Sequence, residues 1–178
     1  MNIKDQRGSA TVLTLFMVIC IFSVAALVAD TANHFCIKIA AKQKLNISLR
    51  SAAARLDQNE LKNANLVIDE TGATQAFYDV LKVNLALDDS LTPQSGSILN
   101  SGSVQVNYFK VIKPDEIPFT YTFGAYTETV DRVAVVGIIS FPVKNGMFSR
   151  LAGSPETGTM YCHATVAPEL IARPVDEI

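Results

Sequence analysis

The chain has 178 residues, 49% of them hydrophobic and 18% charged, with a net charge of −2. That length suits one ordinary domain and not two sizeable ones, and the apolar content excludes global disorder. The absence of a basic excess argues against a nucleic-acid partner, and three cysteines are too few for a disulfide scaffold of this size.

The mean hydropathy of +0.25 is concentrated at one end. From Gly8 to Ala29 no side chain is ionisable except Cys20, and the polar ones are the hydroxyls of Ser9, Thr11, Thr14 and Ser23, which bond back to the preceding turn. These 22 residues make roughly 33 Å of helix, enough for a hydrocarbon core of about 30 Å. No face of the run is polar, so a transmembrane helix is predicted. A cleavable signal peptide has a shorter apolar stretch and a small-x-small cleavage site. Here Leu27-Val28-Ala29 breaks that pattern, and Val24-Ala25-Ala26 fits it poorly. Lys4 and Arg7 before the span and Asp30 after it place the N-terminus in the cytoplasm. Counting Lys38, Lys42, Lys44 and Arg50 beyond the span points the other way.

Past Asp30 the helical pattern continues. There is no Gly or Pro from residue 31 to 71, and Ile37, Ala41, Leu45, Leu49, Ala52 and Leu56 share one helical face. One helix from Ser9 to Leu56 is expected, lipid-embedded in its first half and packed on protein in its second. Asp69-Glu70-Thr71-Gly72 then supplies capping residues for a second, short helix over Ala73–Leu87, with Phe77, Leu81 and Leu85 inward. Residues 90–103 read as a loop. The period then becomes two, with strands predicted around Val104, Val106, Tyr108 and Lys110 or Val111, at Phe119–Phe123, over Val130–Val143 and over Gly158–Val166; Pro168 and Pro174 punctuate the tail. The Val130–Val143 run has the composition of a strand covered on both faces, with Gly137 marking a bulge or a close approach.

The predicted fold class is α+β: a long N-terminal helix, a second short helix, and an antiparallel β-sheet of about four strands with one face under the long helix. The chain divides into residues 1–29 (cytoplasmic tip and transmembrane helix), 30–66 (membrane-proximal spine) and 67–178 (α+β head outside the cytoplasm). Their net charges are +1, +3 and −6. The basic middle segment is either a solvated face or one that meets anionic headgroups.

The order of these features resembles TadE/TadG-like proteins of the tight-adherence (Flp) pilus system. Arg7-Gly8-Ser9-Ala10-Thr11-Val12 opens the apolar helix, Asp30 and Ala32 close it, and Gln43, Leu45 and Ser51-Ala52-Ala53-Ala54 follow. Asp69-Glu70-Thr71, Phe77, Leu81, Asn84 and Leu85 extend the likeness over roughly the first 90 residues. The resemblance implies a bitopic pseudopilin-like subunit with its head outside the cytoplasm, acting in pilus assembly or secretion. It also implies prepilin-type processing between Gly8 and Ser9. Pilin-like members carry Glu at the fifth mature position, where this chain has Leu13. A permanently anchored assembly factor therefore fits better than a major pilin. In either case the expected partners are membrane lipid and other pilus or secretion proteins. Gly8, Ser9, Ala25, Ala26 and Ala29 would pack the span against another helix in a homo- or hetero-oligomer.

Catalytic chemistry is not expected, nor is a cofactor. No P-loop, GxGxxG, HExxH, CxxC or GxSxG occurs. His34-x-Cys36 and Cys162-His163 would make four metal ligands, but neighbouring strand residues point to opposite faces, so no metal site is expected. A Cys36–Cys162 disulfide would tie spine to sheet in an oxidising compartment. Asp88-Asp89 and Asp115-Glu116 are read as turn residues. Tyr108, Phe109, Phe119, Tyr121, Phe123 and Tyr126 are read as strand core, lacking the interleaved cations of a nucleic-acid surface. Asn46-Ile47-Ser48 fits a glycosylation sequon but falls within a helix. Three functions remain: an anchored pilus-assembly protein, a filament-forming subunit processed after Gly8, and a membrane-tethered binding or sensor module unrelated to pili.

Overall fold

A computed structural model of the chain describes residues 3–99, 101–146, 149–150 and 153–169. Helix α1 runs unbroken from Ile3 to Ala53. Its upper half is amphipathic: Ala41, Leu45, Leu49 and Ala52 have no exposed surface, at the predicted spacing of three and four. It ends one turn before the expected Leu56. Leu56 instead forms a β-bridge with Ile68, and the Asp57 carboxylate caps a short helix α2 (Gln58–Lys62) by accepting from the Asn59 and Glu60 amides at 2.8 and 3.3 Å. Helix α3 (Glu70–Leu85) starts at Asp69, whose carboxylate accepts from the Thr71 amide at 3.2 Å. It closes on Ala86 in the left-handed conformation.

Five strands follow: β1 (Gln105–Ile112), β2 (Phe119–Phe123), β3 (Tyr126–Val130), β4 (Ala134–Lys144) and β5 (Thr157–Val166). They form an antiparallel three-stranded sheet in the order β1-β4-β5 and a separate β2-β3 hairpin. The expected α+β arrangement with antiparallel strands is present, with five strands where about four were expected and in two sheets. The apolar run 130–143 breaks at the exposed Asp131 and Arg132, so Val130 closes β3 while Ala134 opens β4. The two-residue link Gly124-Ala125 supplies the hairpin turn, with Gly124 at φ +59. Pro174 lies outside the described residues.

The layers follow from period two in β4. Val135, Ile139, Phe141 and Val143 face α1 and α3, joining Leu45, Leu49, Phe77, Leu81 and Leu85 in the main core. Ala134, Val136 and Ile138 face the hairpin and meet Tyr121 and Val130. Nine of the eleven β4 residues are buried, as a strand covered on both sides requires. In β1 a register shift between Val106 and Tyr108 turns Val106 toward the helices and Tyr108 toward the hairpin, where strict alternation would put both on one face. Gly137 is the predicted close approach: a Cβ there would stand 2.8 Å from Leu49 Cδ2 of α1.

Candidate functional site

Two regions concentrate polar side chains: the seam where the head meets the lower half of α1, and a half-buried carboxylate on the hairpin.

The lower half of α1 is bare. Val12, Leu15, Phe16, Ile21, Phe22 and Val28 each keep more than half of their surface exposed, and the helix is long and apolar enough to cross a membrane. Three of its hydroxyls are satisfied inside the helix. Thr14 and Ser23 donate to the carbonyls of Ala10 and Ile19 at 2.9 and 2.8 Å, and Thr31 to that of Leu27 at 2.9 Å. Of the small residues singled out above, Gly8, Ala25, Ala26 and Ala29 fall within roughly 100° of helical arc, and Ser9 lies roughly 100° beyond it. A Cβ at Gly8 would meet nothing within 4 Å. A mid-helix glycine costs about 1 kcal/mol relative to alanine, and nothing in this chain's own packing requires it.

Burial on α1 begins below its amphipathic half. Ser23, Ala26, Asp30, His34 and Ile37 are half-buried at spacings of three and four, leading into the core face at Ala41. At Asp30 the carboxylate lies against Gly146, which follows β4; a Cβ on Gly146 would collide with it, and Asp30 Oδ2 is buried with no hydrogen-bond partner among the described residues. One turn higher His34 Nε2 pairs with the Lys144 carbonyl at 3.1 Å. Asn145 holds the two ends of the β4–β5 connection together: its amide donates to the Glu156 carbonyl at 2.9 Å and its side chain to the Pro155 carbonyl at 2.8 Å.

The three cysteines are free. The proposed Cys36–Cys162 bridge is therefore corrected. The buried Cys162 thiol points at α1 and donates to the Lys38 carbonyl at 3.7 Å, whereas Cys36, two residues earlier and roughly 200° round the helix, faces outward. Burial pushes the Cys162 thiol above its ordinary value against the pull of Lys38 and Lys42. A maleimide added to the folded, detergent-solubilised protein is accordingly expected to label Cys36. Cys162 should react only after denaturation, as read by mass shift. The metal reading also fails on placement: His34 meets a backbone carbonyl, Cys162 faces α1 and His163 faces the hairpin. No group of three metal-ligating side chains occurs among the described residues.

The second region has no counterpart among the sequence expectations. Glu128 of β3 turns inward, and its Oε2 accepts three hydroxyls: Tyr121 at 2.5 Å, Tyr126 at 2.9 Å and Thr165 of β5 at 2.8 Å. Tyr108 stacks on Tyr121 with ring centroids 5.8 Å apart, and His163 packs on Tyr126 at 3.9 Å. Burial pushes the Glu128 carboxyl up, but the hydroxyl donors and His163 together hold it below the ordinary glutamate range. Tyr121 is raised by burial and by its bond to Glu128. His163 is lowered by burial and by Lys42 and Lys38, against the opposing pull of Glu128. All donors are spent on one acceptor, so the cluster fastens the hairpin to the sheet. Two of the other acids of the head are also occupied. Asp88 organises its turn through Ser90, Thr92 and Gln94, and Glu116 takes Lys110 at 2.7 Å.

No described protein family, no curated protein and no solved structure matches the chain.

Proposed function

We propose that the chain is a non-enzymatic, single-span envelope protein of the TadE/TadG-like kind, an anchored pseudopilin-like factor in Flp-type pilus assembly or secretion, with its N-terminus in the cytoplasm and its head outside. The observation that carries the reading is the single helix Ile3–Ala53. Its lower half is exposed and apolar, and its upper half is the central element of the head's core. Such a rod transmits position from lipid to head without a hinge. Two further features support it. Gly8 is small for no internal reason, as a residue read by a peptidase or a neighbouring helix would be. The polar clusters of the head are consumed by structure, which leaves no nucleophile–base pair among the described side chains to recommend catalysis.

Leu13 at the fifth position after Gly8 favours the anchored form over a filament subunit, because a filament uses a carboxylate there to meet a neighbour's amine. The intact mass of protein purified from its own membranes tests this. A chain beginning at Met1 is expected; one beginning at Ser9 makes it a processed filament subunit. A head found in the cytoplasm, with Cys36 shielded from outside reagent, ends both pilus readings and leaves a tethered binding or sensor module.

A further inference from the structure

Resting on the membrane-anchored reading above, we infer that the β4–β5 end of the head is a phospholipid-headgroup contact, so that the head sits directly on the bilayer without a stalk. The placement comes from helix arithmetic. Asp30 is one residue past the apolar span, about 1.5 Å along the axis, and its carboxylate already lies against Gly146. His34 is five residues past the span, about 7.5 Å, and pairs with the Lys144 carbonyl. The headgroup layer adds about 5–8 Å on each side of the hydrocarbon core. Lys144, Asn145 and Gly146 therefore fall inside it, together with Thr157, the register partner of Lys144.

The chemistry matches that depth. Lys144 is an exposed cation beside the seam, suited to lipid phosphates. Phe35, 61% exposed on α1, is a large apolar ring set just above the span. Asp30 would be costly facing hydrocarbon, and it is turned instead against Gly146. The remaining acid at this end, Glu156, is exposed beside the β4–β5 link.

The chain contains no tryptophan, so variants carrying a single one report depth without background. Thr157→Trp and Glu156→Trp probe the seam at exposed positions. Phe16→Trp probes the span, and Val83→Trp the head, on α3 close to the Lys44–Asn84 contact. Full-length protein is reconstituted in phosphatidylcholine–phosphatidylglycerol vesicles, with and without lipid brominated on the acyl chain near the glycerol. The indole at position 16 is expected to be quenched and that at position 83 not. At positions 157 and 156 an intermediate fraction of emission should be lost, with a blue shift. Adding Lys144→Glu should reduce the loss at position 157. Quenching at position 16 with none at 157 or 156 overturns the contact and leaves the anchor intact. Absence of quenching at position 16 overturns the anchor. A blue shift at position 157 that ignores bromination but grows with protein-to-lipid ratio means a second copy covers this end, and also overturns the contact. Equal quenching at positions 157 and 83 does so too, since the head would then lie flat.

Discussion

Leu49→Ala is expected to destabilise the head by about 3–5 kcal/mol in urea titrations of detergent-solubilised protein. Leu49 has no exposed surface and packs directly over Gly137 of β4. The reverse insult, Gly137→Ala, puts a methyl 2.8 Å from Leu49 Cδ2 and 3.3 Å from Cδ1, and should cost about 1–3 kcal/mol through overpacking. The two changes share one volume. Combined, they should cost less than their sum, because the new methyl occupies part of the space Leu49 vacates. Additive losses would mean that the helix–sheet spacing at this point is set elsewhere.

That contact also shows why much of the fold is legible in the sequence. Gly137 interrupts a β-branched run, and Leu49 lies on a helical stripe of small and branched residues, so both faces of the contact announce themselves. The cap of α3 is equally readable: Asp69 stands one residue before the helix and accepts from the Thr71 amide as its residue type predicts. The hairpin is not. Strand β3 reads Tyr126-Thr127-Glu128-Thr129-Val130, and an acid at its central inward position breaks the apolar alternation by which a half-buried strand is recognised. The register shift beside Tyr108 is hidden for a related reason. Valine and tyrosine two apart look like one face, and only the partner strand reveals that they occupy two. At the seam, Asp30 is legible as the end of the span. Its partner Gly146 is more than a hundred residues away, on a turn with no local signal for that contact.

The same hidden acid has the sharpest pH signature. Glu128 holds three hydroxyls, two from the hairpin and one from the sheet, and charge-assisted hydrogen bonds of this kind contribute about 1.5–3 kcal/mol when intact. Glu128→Ala should cost a loss of that order at pH 7, since the Tyr121, Tyr126 and Thr165 hydroxyls would then lack their shared acceptor. Because the folded carboxyl titrates below the ordinary glutamate value of about 4.3, its contribution is complete above that value. It is lost as pH falls through the folded value. Tyr121, raised in the folded state, keeps its contribution below the ordinary tyrosine value of about 10 and loses it as pH climbs further. Glu128→Gln removes the acid-side dependence while keeping an acceptor of the same shape. The difference in urea midpoint between pH 7 and about pH 3 should therefore shrink in Glu128→Gln relative to the unsubstituted chain. An unchanged difference would place the acid sensitivity in other carboxylates, and the hairpin would be held by its apolar face alone, through Val130, Ile138 and Val136.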